Sequence, residues 1–348
     1  MKTNTHVANH EESKANLAKF RKAVKTDGKD TLGSDNWGRV ELQSLPDCVC
    51  QPIVDSLNLS VNTIASPHQL LLNLNACLGK PGGDSRTITK SPMLYRMIMR
   101  ADEEIKDWES NNMSPFDTAR KGSSALHAAL VRNVKAEVAA KLSKCAASVF
   151  IDYEICFVSI DIPTLLIEAI KVGFPAGKMS FLLQQHLAPR VSQANGFTSR
   201  AISVCCSIIA GCLSSVTLTR VFLKNAMIQI CNKFPESNPA VFVDDTCLQA
   251  IANTIDEILD ILVPAVTAFK SKADELKLSI SPKSALTASA DNLVQILHQE
   301  LKSYGINFLI DNNARDVDIT NTAVRSRPNK LMSSRFKQRK TYRIRLKS

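Results

Sequence analysis

The sequence has few of the residues that mark several common classes of chain. Aromatic side chains make up only 5% of it, and its 348 residues include 12 glycines and 14 prolines. The low aromatic content disfavours an aromatic-rich sandwich or a carbohydrate binder, and the low glycine and proline contents exclude collagen-like and low-complexity chains. Apolar residues still account for 45% of the chain, which excludes disorder throughout and predicts a sizeable core. At ~150 residues per domain, the length predicts about two domains.

Cysteine pairs of the Cys-x-x-Cys type are also missing. The ten cysteines follow no hydrophobic leader segment. We therefore expect reduced thiols in an intracellular protein, nuclear or cytoplasmic, rather than a disulfide framework. Cys48, Cys50, His68 and Cys77 can be drawn as a zinc site, but their spacing does not fit a zinc ribbon or finger.

The chain lacks a convincing membrane span. The charge-free run at residues 201–219 is long enough to cross a bilayer, but it contains four serines, two threonines and three cysteines. We expect a loop followed by a helix packed on one face, and no membrane partner.

Acidic residues are absent after Asp318. Residues 325–348 carry ten lysines and arginines, which equals the formal net charge of +10 of the whole chain. The positive charge is therefore confined to a basic tail, which predicts contact with the phosphate backbone of a nucleic acid. A solvated tail without a specific role is the alternative, and the tail could also serve as a nuclear address.

Hydrophobic periodicity and turn residues predict a chain of mixed helices and strands. The glycine-rich turn at residues 80–86 should join two strands, at residues 70–78 and 87–89. Helices are predicted over residues 92–109, 124–143, 211–226 and 255–276. One apolar stripe of the second helix comprises Leu126, Leu130, Val134, Val138 and Leu142.

Three aspartates follow or join apolar strands. Asp152 ends a buried-strand pattern at residues 147–152, and Asp244 and Asp245 form the turn of an apolar hairpin. Carboxylates at strand ends are costly to bury without a counter-charge, which a hard divalent cation supplies. Two such ions are what phosphoryl or nucleotidyl transfer needs. Taken alone, the Asp-Asp pair also suits an ordinary hairpin turn.

Five segments in order resemble the reverse transcriptase domain of non-LTR retrotransposons and group II introns. Residues 152–157 resemble the first palm motif, an aspartate followed by a bulky aromatic, and residues 242–245 resemble the aromatic-x-Asp-Asp hairpin. Residues 209–215 are similar to the glycine-centred segment that opens the central helix. Residues 78–88, with 94–96 after them, resemble the fingers hairpin. Residues 278–284 resemble the lysine-bearing strand.

The resemblance implies a role for each matched residue. Asp152 and Asp244 would hold two Mg²⁺ ions, which Mn²⁺ could replace, and Asp245 would support them. Phe157 would exclude a 2′-hydroxyl by its bulk, and Gly211 would let the backbone approach the template–nucleotide pair. Lys80 and Arg86 would reach the triphosphate, and Lys283 would protonate the leaving pyrophosphate. Ordinary core or surface positions are the alternatives for Phe157 and these three basic residues.

The sequence departs from the family pattern at three positions. Val158 stands where an aspartate usually follows the aromatic, Ala210 where glutamine usually precedes the glycine, and Phe242 where tyrosine is commoner. None of these changes removes an expected metal ligand. They bear on nucleotide alignment more than on metal binding.

The resemblance implies an α+β fold, with the palm and fingers of a polymerase right hand, an antiparallel palm sheet and packed helices. The expected segments are a flexible arm (1–36), fingers (37–146), palm (147–290), a reduced thumb or connection (291–324) and the basic tail (325–348). The expected partners are an RNA template, a DNA primer and deoxynucleoside triphosphates.

Three hypotheses follow. The first is an RNA-directed DNA polymerase, and the second is a catalytically inactive remnant that binds nucleic acid. The third is an unrelated α/β structural protein whose tail binds RNA or a membrane. The oligomeric state stays open.

Overall fold

The structure is a computed structural model. It describes residues 16–25, 32–79, 85–120, 122–194, 196–311, 315–316 and 319–320, and residues 85–86, 315–316 and 319–320 by their backbone alone. The helices are α1 Leu17–Lys25, α2 Arg39–Ser44, α3 Asp47–Thr63, α4 Met93–Ala101, α5 Glu104–Asn111, α6 Ala125–Lys141, α7 Cys156–Ser159, α8 Ile162–Lys171, α9 Ala176–His186, α10 Ser215–Lys233, α11 Ile255–Glu275 and α12 Asp291–Ser303, with 3₁₀ turns at His68–Leu70 and Pro235–Ser237. The strands are β1 Asn73–Gly79, β2 Ser85–Lys90, β3 Cys145–Ile151, β4 Arg190–Ala194, β5 Phe197–Thr198, β6 Ala240–Phe242, β7 Asp245–Ala252, β8 Ala285–Ala288, β9 Leu309–Ile310, β10 Arg315–Asp316 and β11 Ile319–Thr320.

The chain forms two compact units that interleave along the sequence. The first unit comprises Met1–Ser114, Ile155–Asn225 and Leu276–Leu278, and the second comprises Pro115–Glu154, Ala226–Glu275 and Ser279–Ser348. Helices and separate sheets confirm the predicted α+β class. The division into consecutive fingers, palm and thumb segments stays a prediction.

The sheet of the first unit is built on a hairpin. Its four strands lie in the order β2-β1-β4-β5. Strands β1 and β2 pair antiparallel, from Leu74 with Lys90 to Gly79 with Ser85, and β4 lies parallel to β1 on the other side. The predicted hairpin strands are therefore present, although its tip at residues 80–84 lies outside the described residues.

The single helix predicted over residues 92–109 is two helices, α4 and α5. Asp102 separates them, because its carboxylate accepts a hydrogen bond from the Ile105 amide at 3.0 Å. The same carboxylate pairs with Lys178, and both side chains are buried. A long-range ion pair thus fixes a break that hydrophobic spacing does not reveal.

The N-terminal arm expected over residues 1–36 includes an ordered element. Helix α1 buries Phe20, Ala23 and Val24. The Arg21 guanidinium anchors the helix by bonding to Asp47 at 2.7 Å. Apolar residues at i, i+3 and i+4 suffice to pack this short helix, which the polar composition of the segment obscures.

The second unit contains a five-stranded sheet in the order β6-β7-β3-β8-β9. Strand β3 lies at its centre and pairs antiparallel with both β7 and β8. Helix α11 packs on the sheet and buries Ile258, Leu262, Ala265, Val266, Phe269 and Ala273. The predicted amphipathic helix is present as α11. The predicted antiparallel pairing is present at the centre of the sheet, around β3.

Helix α6 confirms the helix predicted over residues 124–143, but its apolar stripe does not face the core. Leu126, Val134 and Leu142 on this stripe are 62%, 47% and 64% exposed. The buried face carries Ala128, Ala129, Arg132, Ala136 and Ala139. Alanines let the helix lie close to the sheet, so the small side chains face inward.

Residues 201–214 precede α10, which begins at Ser215. Across the described part of the chain, every helix is too short or too polar for a bilayer.

Candidate active site

Asp152 lies directly after the central strand of the second unit. Six of the seven residues of β3 are buried, whereas Asp152 itself is half-buried. Its backbone is fixed from the side of β8: the Asp152 amide donates to Ser284 Oγ at 3.1 Å, and its carbonyl accepts from the Ser281 amide at 2.8 Å. The end of β3 is therefore held in place independently of the Asp152 side chain.

The predicted hairpin around Asp244 and Asp245 is present as β6 and β7, but its turn lies one residue earlier than predicted. Phe242 pairs with Asp245, which leaves Val243 and Asp244 as the two turn residues. Val243 has a φ of 62°. A β-branched residue in this region is strained by about 1–3 kcal/mol, and such strain clusters at functional sites.

The strand register brings the two acidic segments together. The last residue pair between β3 and β7 is Ile151 with Thr246, so Asp152 follows one position on, opposite Asp245. Facing residues of an antiparallel pair have Cβ atoms ~5 Å apart. Tyr153 adds a direct link, because its hydroxyl lies 3.3 Å from Thr246 Oγ1.

Carboxylate oxygens are the ligands that Mg²⁺ prefers, and the half-buried Asp152, Asp244 and Asp245 offer them at paired strand ends. In chemistry and register the residues fit a divalent ion. Among the described residues, however, no group of three or more acidic, histidine or cysteine side chains is gathered closely enough to hold a metal ion. Metal binding by these three aspartates stays a prediction.

Lys283 lies in the turn before β8, in the same unit. Its side chain is exposed, and its amide donates to Ser281 Oγ at 3.2 Å. The turn is bonded to the Asp152 backbone on both sides of Lys283, through the Ser281 amide and Ser284 Oγ. Lys283 therefore lies in a turn that is fixed to the end of β3.

Gly211 lies in the loop before α10, in the first unit. It has a φ of 99°, and a Cβ atom added to it would lie 3.3 Å from both the Ile88 side chain and the Thr89 carbonyl oxygen. The Thr89 amide donates to the Ala210 carbonyl at 3.0 Å. Both the backbone conformation and the close approach to β2 thus require glycine here.

Phe157 lies in α7, next to this loop. Its carbonyl accepts a hydrogen bond from the Ile208 amide at 2.8 Å, and its side chain is half-buried. Phe157 is therefore not a fully buried core residue. Arg86 lies in β2 opposite Leu78, with its side chain undescribed, and Lys80 lies outside the described residues.

A buried polar cluster that sequence patterns do not reveal lies behind the Gly211 loop. His186 is fully buried. Its pKa is lowered to about 3, mainly by burial and to a smaller extent by the nearby charge of Arg190. Its ring contacts Ile209 and Ser214, which lie on either side of Gly211. No local sequence pattern identifies such a histidine, because its partners lie more than twenty residues away along the chain.

Metal ions held by acidic residues are what phosphoryl or nucleotidyl transfer needs, and here the aspartates lie at the paired ends of antiparallel strands. The family model for reverse transcriptase (RNA-dependent DNA polymerase) matches residues 78–309. The chain therefore belongs to the reverse transcriptase family, a family of nucleotidyltransferases. No curated protein matches the chain significantly.

The family match confirms the predicted resemblance. It also shows that the third hypothesis, an unrelated structural protein, is wrong.

Proposed function

We propose that this chain is an RNA-directed DNA polymerase that extends a DNA primer on an RNA template. The observation that carries the proposal is the register of β3 and β7, which sets Asp152 opposite Asp245 at the Asp244 turn. Within a chain of the reverse transcriptase family, this is where nucleotidyl transfer is expected.

The acidic residues of the second unit would hold the reacting groups. Asp152 and Asp244 would bind two Mg²⁺ ions, which Mn²⁺ could replace, and Asp245 would support them. When bound, such ions activate the primer 3′-hydroxyl and stabilise charge on the leaving pyrophosphate. The fixed backbone of Asp152 and the strained turn at Val243 keep the carboxylates in place before substrate arrives. Lys283 would donate a proton to the pyrophosphate.

The first unit would bind the nucleotide and the template. Phe157 would restrict the sugar to the deoxy form, and its half-buried ring leaves part of it exposed for such a contact. Gly211 would bring the backbone close to the template–nucleotide pair, while Lys80 and Arg86 would reach the triphosphate. In this proposal the five-stranded sheet is the palm and the β1–β2 hairpin belongs to the fingers.

The test is primer extension on an RNA template with Mg²⁺ and deoxynucleoside triphosphates. Asp244→Asn keeps a residue that suits a turn but removes the charge, so we expect extension to fall at least ~100-fold. Asp260→Asn is the matched control, because Asp260 is exposed on α11 of the same unit. Extension by Asp244→Asn at the rate of the control would overturn the proposal.

A nucleic-acid-binding remnant without catalysis is the second candidate. Two observations favour it: the described residues gather no metal-binding group of three, and Val158 and Ala210 depart from the family pattern. This candidate predicts salt-sensitive RNA binding without extension. Deletion of residues 325–348 should then reduce the slope of log affinity against log salt concentration, and an unchanged slope would contradict a phosphate-binding tail.

A further inference from the structure

The loop that carries Gly211 is tied to a single buried side chain. The Ile209 amide donates to His186 Nδ1 at 2.8 Å, and Ser214 Oγ lies 3.0 Å from His186 Nε2. One imidazole ring thus holds the loop two residues before Gly211 and three residues after it. Because the ring is fully buried, it cannot itself contact a substrate.

The two hydrogen bonds fix the tautomer of the His186 ring. Since Nδ1 accepts the Ile209 N–H, the neutral ring carries its hydrogen on Nε2 and donates it to Ser214 Oγ. Ser214 Oγ also lies 3.0 Å from Cys212 Sγ and 3.4 Å from the Tyr95 hydroxyl. The loop therefore rests on a connected polar cluster rather than on apolar packing alone.

The position of the ring is set by the hairpin sheet. Asn73, at the start of β1, makes two hydrogen bonds with Gln185. Asn73 Nδ2 donates to the main-chain carbonyl of Gln185 at 2.9 Å, and Gln185 Nε2 donates to Asn73 Oδ1 at 2.8 Å. Both residues are fully buried. Arg190 Nη2 donates to the His186 carbonyl at 2.9 Å. The end of α9, and with it the imidazole, is thereby fixed to β1.

The loop meets the same hairpin at a second point. Its outer side lies against β2, where the Thr89 amide bonds to the Ala210 carbonyl at 3.0 Å. The loop is therefore held between β2 on one side and the His186 ring, fixed through β1, on the other. A shift of the ring would change how Gly211 sits on β2.

We propose that His186 is a positioning residue that fixes the Gly211 loop against the hairpin and so sets nucleotide alignment. The proposal rests on the proposed polymerase function, because that function makes Gly211 face the template–nucleotide pair. His186 acts through the loop and is not a catalytic residue.

Three substitutions separate the two hydrogen bonds from the volume of the ring. His186→Phe fills the space but makes neither bond. His186→Asn places an acceptor near the position of Nδ1, which keeps the bond to Ile209. His186→Gln places its amide near the position of Nε2, which keeps the bond to Ser214. Val54→Ala, in α3 of the same unit, is the control for a general loss of packing, because Val54 is fully buried.

Two measurements decide the outcome. The first is hydrogen exchange of the Ile209 amide, which needs no catalytic activity. We expect exchange at least ~10-fold faster in His186→Phe and His186→Gln and near wild type in His186→Asn. The second is primer extension, where His186→Phe should raise KM for the incoming nucleotide ~10-fold and change kcat less than ~3-fold, with KM partly rescued in His186→Asn.

The two proposals fail in different ways. If His186→Phe extends primers with an unchanged KM, or if its Ile209 amide exchanges as slowly as in wild type, the positioning role is wrong while the polymerase function stands. An equal rise in KM for Val54→Ala would also reject it, since general destabilisation would then suffice. If the wild-type chain extends no primer, the proposed function fails and the positioning role fails with it, whatever the exchange rates show.

Discussion

The hairpin turn of the second unit and the Gly211 loop of the first unit both require a backbone with positive φ, but they achieve it differently. The hairpin places Val243 at a φ of 62°, whereas the loop places a glycine at 99°. Two hydrogen-bonded strands constrain the valine, and the buried polar cluster around His186 holds the loop. Where the backbone must touch another strand only glycine fits, whereas a short turn that presents a carboxylate can tolerate strain.

The largest effect is expected when the glycine of the loop is replaced. Gly211→Ala adds a Cβ at 3.3 Å from β2 in a backbone conformation that L-residues rarely adopt. We expect a loss of ~2–3 kcal/mol in the free energy of unfolding, measured by urea denaturation. Gly177→Ala is the matched control, because Gly177 lies in α9 with open space at its Cβ position. If the two variants lose equal stability, the close approach of the loop to β2 is unimportant.

The next test concerns the histidine that supports the loop. The pKa of His186 is about 3 in the folded chain, against 6.5 for an ordinary histidine. Between these values the unfolded chain binds the proton and the folded chain does not, so stability is lost as pH falls from 6.5 towards 3. At pH 5 the loss from this group is ~2 kcal/mol.

The pH effect is best measured as a difference between wild type and His186→Asn. The titratable groups near the ring are Arg190 and, through Ser214, Cys212 and Tyr95, and all three are present in both proteins. We expect the stability advantage of wild type over the variant to shrink by ~2 kcal/mol between pH 7 and pH 5. A constant advantage would mean that the folded chain protonates His186 normally.

The smallest test addresses the strained turn. Val243→Gly removes the cost of a β-branched residue at positive φ but adds entropy to the unfolded chain. The two terms oppose each other, so we expect a gain of up to ~1 kcal/mol in the free energy of unfolding. Denaturation by urea measures it, and a loss of more than ~1 kcal/mol would show that the valine side chain contributes packing that outweighs its strain.

The sequence predicts the elements that carry local patterns. Asp152 after an apolar strand and the Asp-Asp pair of a hairpin are both visible as patterns. The structure places Asp152 and Asp245 at paired strand ends and Asp244 in the turn. Gly211 was likewise identified, although its contact with β2 depends on tertiary structure.

The features that the sequence did not predict depend on long-range contacts. The break between α4 and α5 depends on the pairing of Asp102 with Lys178, and the anchoring of the Gly211 loop depends on His186. The exposed stripe on α6 shows a further limit: periodicity identifies an apolar face but not which face the sheet covers. In α6 the alanine face is the buried one, because small side chains let the helix lie closer to the sheet.

The interleaving of the two units has a consequence for synthesis of the chain. Strand β3 ends at Ile151, yet its neighbours β7 and β8 begin only at Asp245 and Ala285. On the ribosome, an apolar strand with two bare edges must wait while more than a hundred further residues are made. Such a strand is an aggregation risk until its neighbours arrive. Fragments that stop before residue 285 should therefore be poorly soluble, and chaperones that cover bare strand edges should raise the yield of the full chain.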